Sequence, residues 1–369
     1  MKYIILYLFL LSLISPIKSS SKASIKHSSD LIHNFNQKDF PNIKNYPLKT
    51  LAYITPWNKE GNKYVEKYSN KFDIISPTWF EIKPDEIDGE LQFILDGSNN
   101  IDSDFMKNIK NKNENIIILP RLHAGFYDTN VMQIWFTKEV EHFIKILERR
   151  IKYNKFDGYV FDCMKVWFDK ELLNIFVKNF LPKVYQSMNK LNKKFIITII
   201  PKNSDEENFN SILDKNIFKE ICKYVDYINI MTYDYHQYDK NEKYYSAPIS
   251  WLKETIDFYV DKDEENADLI LKKILIGIPF HGYSYEKNKN KIQDVITGTK
   301  FENILQNGDL DLNIDEKENE YILQYRNNVI NYPNRDFIQK RLDISKEMKI
   351  GGIGIWDVGN GKESMIEPF

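Results

Sequence analysis

Residues able to do chemistry gather just beyond short apolar runs of this 369-residue chain. Trp57 follows the first run, and Trp79 with Glu81 follows the second. Arg121 and His123 follow the third. The fourth ends in Asp162-Cys163-Met164, the sixth leads into Tyr233-Asp234-Tyr235-His236, and the seventh into His281, Tyr283 and Tyr285. The last closes on Trp356-Asp357. Flat aromatic rings stack on the C–H faces of pyranose rings, while carboxylates and guanidinium groups exchange hydrogen bonds with hydroxyls. The set therefore points to a carbohydrate ligand. Three histidines, His123, His236 and His281, share this rim, but their separations match no metal-ligand spacing. Neither a metal nor a cofactor is expected.

The runs themselves imply the frame. Leu51–Ile54, Phe72–Ile75, Asn115–Leu119, Gly158–Asp162, Phe195–Ile200, Tyr227–Met231, Lys273–Gly277 and Gly352–Trp356 read as eight strands. Several are almost wholly apolar, as strands buried on both faces must be. Helical patterns lie between them: Leu173, Phe176, Phe180 and Val184 recur at spacings of three and four within Lys170–Leu191, and another stretch runs from Phe337 to Lys349. Eight alternating units predict an α/β fold, a closed (β/α)8 TIM barrel, with functional groups at the C-terminal ends of its strands. No glycine-rich phosphate loop follows the first strand, which argues against a nucleotide fold. The stretch 281–333 is too long for a simple crossover and reads as an insertion carrying a hairpin above the barrel.

Composition sets the outer limits. Hydrophobic residues make up 42% and charged residues 28%, ordinary values for a globular domain with a full core. A net charge of −2, with lysines dispersed, does not favour nucleic acid. Met1-Lys2, an apolar run from Tyr3 to Ile14, and Ser15-Pro16 have the layout of a secretory signal peptide over residues 1–20. That run is short for a bilayer span, so no membrane span is expected once it is removed. Residues 21–47 read as a polar spacer and 48–369 as the barrel, in the secretory pathway, either extracellular or luminal. Cys163 and Cys222 are expected to be free thiols.

Motifs taken in order along the chain resemble glycoside hydrolase family 18, the chitinases and chitinase-like lectins. Phe156-Asp-Gly-Tyr-Val-Phe-Asp162-Cys-Met164 is similar to that family's strand-four signature, Met231-Thr-Tyr-Asp234-Tyr to its strand-six motif, and Gly352–Asp357 to its last strand. Tyr53–Trp57, Ile75–Trp79, Leu119–Arg121 and Ala247–Trp251 resemble the family's chitinase domain-containing protein 1 branch. In active members the strand-four acids alternate, so all point into the mouth. The last, a glutamate, protonates the glycosidic oxygen, and the one before it holds the N-acetyl group that assists the reaction. On this chain the motif maps to Asp157, Val160, Asp162 and Met164.

Met164 is the decisive departure, because a thioether has no proton to give. Loss of general acid catalysis costs roughly 10²- to 10⁴-fold. The resemblance thus implies a catalytically degenerate lectin that binds chitin or another N-acetylglucosamine-containing oligosaccharide. Trp57, Trp79, Arg121, Asp162, Tyr233, Asp234 and Trp356 are the expected ligand contacts, though Arg121 could equally pair with Asp162. Two alternatives stand beside this one. A glycosidase could use a relocated acid (Asp162, Glu81 or Asp234), or the cleft could be vestigial on a protein that binds a protein partner through the insertion.

Overall fold

The computed structural model describes residues 35, 37–202, 212–235, 244–287, 291–307 and 310–369. Eight parallel strand positions form the barrel. β1 (Lys49–Ile54) lies between β2 (Ile74–Pro77) and β16 (Gly352–Trp356). β7 (Gly158–Asp162), β8 (Lys194–Ile199), β9 (Tyr227–Ile230) and β10 (Ile274–Pro279) follow in spatial order back to β16. The third position is a strand broken at Leu119-Pro120 into β5 (Ile117–Ile118) and β6 (Arg121–His123). The ring closes through it: Ile74 pairs with Ile117, Arg121 pairs with Val160, and the Asp157 amide donates to the Ile118 carbonyl at 3.0 Å. All eight expected strands are present, shifted by at most a few residues. Leu51, Tyr53, Ile74, Leu119, Val160, Ile196 and Leu275 fill the interior, so the barrel is a packed core with its chemistry confined to one end.

Two close approaches explain glycines in the wall. A Cβ on Gly277 would stand 2.7 Å from the Tyr233 ring, and one on Gly354 would stand 2.3 Å from Asn229 Oδ1. Both strands need glycine there to admit the neighbouring side chain. The expected helix 170–191 is found as Lys170–Ile175, a π-helical turn Phe176–Phe180, and Leu181–Lys190. Asp169 caps its start by accepting from the Leu172 amide. The second expected helix spans Arg335–Glu347.

The insertion is larger than a hairpin. β11 (Gly282–Glu286), β12 (Lys291–Ile296), β13 (Asp311–Asp315), β14 (Glu320–Tyr325) and β15 (Asn328–Asn331) make an antiparallel sheet in the order β12-β11-β15-β14-β13, with the helix Gly298–Asn307 between β12 and β13. A hairpin not expected from the sequence, β3 (Phe80–Ile87) with β4 (Glu90–Asp96), extends the barrel sheet beyond β6.

The expected spacer 21–47 falls partly outside the described residues, and its described half is not a spacer. Phe35 and Tyr46 are buried in the main core. The Ser364 hydroxyl donates to the Phe35 carbonyl at 2.9 Å, and the Asn45 amide donates to the Phe369 carbonyl at 3.0 Å. Lys71, itself buried, donates to the carbonyls of Glu367 and Phe369 at 2.9 Å each. Aromatic residues without period hold this segment, which is why no periodic signal marked it. The expected signal peptide lies outside the described residues. Among the described residues no helix is long and apolar enough to cross a membrane. Cys163 and Cys222 are buried free thiols.

Candidate functional site

Side chains at alternate positions of a strand share a face, and the strand-four motif shows what that places where. Val160 is fully buried in the barrel interior, while Asp162 and Met164 line a cavity of about 200 Å³ at the mouth. Asp157, at the other end of the strand, accepts from the Ile118 amide at 2.8 Å and from Lys110 at 2.9 Å, a structural contact. Tyr53, Arg121, His123, Thr198, Met231, Tyr233 and Trp356 complete the cavity.

Asp162 is its electrostatic centre. Thr198 Oγ1 donates to Oδ1 at 2.8 Å, Arg121 Nε donates to Oδ2 at 2.8 Å, and Arg121 Nη2 donates to the same oxygen. His123 Nδ1 stands 3.4 Å from it. Burial by itself would raise this carboxyl, but the Arg121 charge, His123 and the Thr198 hydroxyl outweigh it and hold it far below the usual carboxylate range. Arg121 is thus ion-paired with Asp162. It also spans to the aromatic wall, with its guanidinium carbon over the Trp356 ring, 5.1 Å from the centroid. Trp356 meets Tyr53 edge-on at 5.4 Å.

Beside this cavity the strand-six residues meet the insertion. Asp234 adopts a left-handed backbone, φ 61°, a conformation that Asp tolerates better than most residues and that clusters at functional sites. Tyr283 Oη donates to Asp234 Oδ1 at 2.8 Å, and His281 Nε2 stands 2.9 Å from the same oxygen. Burial works to lower the His281 pKa, but Asp234 outweighs it and the net shift is upward. Burial pushes the neighbouring Asp357 up to about 6 against the pull of His281.

Two expected contacts lie elsewhere. Trp79 is only 4% exposed, packs on Phe156 at 6.1 Å, and borders a separate groove between the helices Glu60–Lys67 and Ser103–Lys112. Trp57 is 72% exposed on the loop after β1, four residues beyond Tyr53. The cavity also includes Tyr53, Thr198 and Met231, which the sequence reading did not select. A lone polar residue inside an apolar strand, as Thr198 is in Phe195–Ile200, was the available signal. His236 lies outside the described residues. His123 and His281 are drawn to Asp162 and Asp234 respectively, and among the described residues no group of three or more His, Cys, Asp or Glu side chains is placed to hold a metal.

The sequence profile of glycosyl hydrolases family 18 matches residues 49–361. The chain belongs to this family. A curated relative, the uncharacterized glycosylase YvbX of Bacillus subtilis, is 25% identical over 191 residues, covering 50% of this chain and 53% of that protein. The chain thus matches about half the length of that relative. A chitinase from Chromobacterium violaceum superposes with a TM-score of 0.70 at 14% identity, covering 86% of this chain and 96% of that one. The spore cortex-lytic enzyme SleL of Bacillus megaterium gives 0.68 at 16%, covering 88% and 73%. Human YKL-39, described as a pseudo-chitinase with retained chitooligosaccharide binding properties, gives 0.70 at 12%, covering 87% and 98%. At these identities the likeness is one of fold.

For a family 18 barrel the state of Asp162 has a measurable consequence. A carboxylate whose folded pKa is depressed contributes stability above its unfolded value, about 3.9, and that contribution is lost as pH falls below it. Urea unfolding at about pH 5 and about pH 3 should show a fall in stability that Asp162→Asn reduces. An equal fall in both proteins would mean that Asp162 is not held ionised.

Proposed function

We propose that this family 18 barrel binds an oligosaccharide containing N-acetylglucosamine without cleaving it. The observation that carries the reading is the pair Asp162 and Met164 in one cavity. The position of the expected proton donor holds a thioether, and the carboxyl that lines the same cavity, Asp162, is held ionised by Arg121. A group kept ionised cannot serve as a general acid, which weakens Asp162 as a relocated one. Trp57, exposed on the loop after β1, supplies the open aromatic surface a glycan needs, while Trp356 at the mouth lies under the Arg121 guanidinium. YKL-39, a pseudo-chitinase by its description, supports a barrel of this kind serving as a binder.

The finer affinity, to the chitinase domain-containing protein 1 branch, rests on Tyr53–Trp57, Ile75–Trp79, Leu119–Arg121 and Ala247–Trp251. Residues 1–20 support entry into the secretory pathway.

Titration with chitooligosaccharides should perturb tryptophan fluorescence while releasing no shorter sugars. Trp57→Ala should weaken binding by about 1.4 kcal/mol, roughly tenfold in Kd, because an exposed ring with nothing packed over it acts through the ligand alone. A folded sample unresponsive at millimolar sugar would defeat the reading, and turnover at chitinase-like rates would replace it with a hydrolase.

A further inference from the structure

A sugar entering the mouth at the depth of Asp162 would look for two things, a flat aromatic face and a carboxylate acceptor. Both already face Arg121. Its guanidinium lies over Trp356 at 5.1 Å, and two of its N–H groups point to Asp162 Oδ2. Thr198 holds the other carboxylate oxygen. A planar guanidinium suits this double role, stacking by its face and hydrogen-bonding by its edge. The space left over, about 200 Å³, is smaller than the roughly 300–1,000 Å³ typical of ligand pockets. The pair is also built in, since the Asp162 side chain is 4% exposed and that of Arg121 16%.

We propose that Arg121 is a resident plug of the innermost sugar position. The protein then recognises the outer units of a chain along the rim near Trp57 and excludes a sugar from the depth where cleavage would occur. Arg121 thereby determines which part of a glycan is read and sets a minimum length, disfavouring a single N-acetylglucosamine. This rests on the oligosaccharide-binding reading above.

The test is calorimetric titration of N-acetylglucosamine and chitotetraose into the full chain, as wild type, Arg121→Ala and Arg121→Ala/Asp162→Asn. The double variant matters because a buried carboxylate left without its counter-ion can itself unfold a protein. Circular dichroism establishes that each is folded. In the folded double variant, chitotetraose should bind roughly tenfold more tightly than in wild type, and the monosaccharide should give a measurable heat that wild type lacks. If wild type binds chitotetraose and the folded double variant binds it no better, Arg121 is not a plug and the binding reading stands alone. If no protein in the set binds either sugar, the binding reading fails and the plug falls with it.

Discussion

Met164→Glu alone is expected to leave the protein inert toward a chromogenic N-acetylglucosaminide, whereas Met164→Glu/Arg121→Ala should turn it over above the wild-type background by roughly 10²- to 10⁴-fold. The new carboxyl would enter the cavity that also holds Arg121 and Asp162. With the guanidinium present it finds a cation, stays ionised and has no proton to donate. With the guanidinium gone, two carboxyl groups share a buried site and like-charge repulsion raises one of them toward the range of a working acid. The same change frees Asp162 to engage an acetamido group and uncovers Trp356. Product release followed by absorbance decides it. Activity in the single variant would show that Arg121 does not control the site, and inactivity of a folded double variant would show that a donor and an open floor are not enough.

The largest stability effect is expected far from the mouth. Arg341 is fully buried. It donates to the Ala247 carbonyl at 2.6 and 3.2 Å, to Asn319 Oδ1 at 3.1 Å and to the Phe337 carbonyl at 3.0 Å, and it lies 3.4 Å from Glu320. Glu320 in turn accepts from the Ala247 amide at 2.7 Å, and Glu318 accepts from the Ser250 amide at 2.8 Å. Glu320, the first residue of β14, and Glu318 just before it thus hold the chain leading into the helix Ile249–Tyr259, and Arg341 from the helix Arg335–Glu347 pairs with Glu320. Arg341→Ala removes the buried donor that serves Ala247, Asn319 and Phe337 and strips Glu320 of its cation, and should cost about 3–5 kcal/mol. Burial already pushes the Glu320 carboxyl up to about 7 against the pull of Arg341. A raised folded pKa means that stability is fully present below the unfolded value, about 4.3, and declines as pH rises through about 7. Urea midpoints at about pH 5 and about pH 8 should show this decline, and Glu320→Gln should flatten it. A loss under 1 kcal/mol in Arg341→Ala would mean that the network is dispensable.

The barrel was legible because strands buried on both faces are written as unbroken apolar runs, and eight of them repeat. The β3–β4 hairpin carried a signal that went unused. Asp88-Gly89, with φ values of 54° and 79°, forms the two-residue turn that Asp-Gly favours between strands. The insertion was seen as a length anomaly, but its five strands are short and do not keep a clean polar and apolar alternation (β12 exposes Ile292 and Val295), so their pairing could not be read from period. At the site, the roles of the Asp162 and Met164 positions came from the resemblance to the family's strand-four motif, and strand alternation accounts for their sharing one face. Trp79 was misplaced because proximity to a strand end does not say which way a side chain turns, and its partner Phe156 is far away in sequence. Arg121 stayed ambiguous for a similar reason: only the distance across β6 and β7 shows that its charge is spoken for.

The closure of the ring by β1 against β16 has a bearing on biosynthesis. Lys49 pairs with Gly352, so the first strand emerges from the ribosome about 300 residues ahead of its partner. At roughly 5–20 residues per second, that is a delay of about 15–60 s. For that interval an apolar strand edge has no native mate, and the segment around Phe35 and Tyr46 has no C-terminal surface to lie on. A nascent chain of this design depends on something to shield that edge, and shortening it by the last strand should yield an aggregate rather than a smaller barrel.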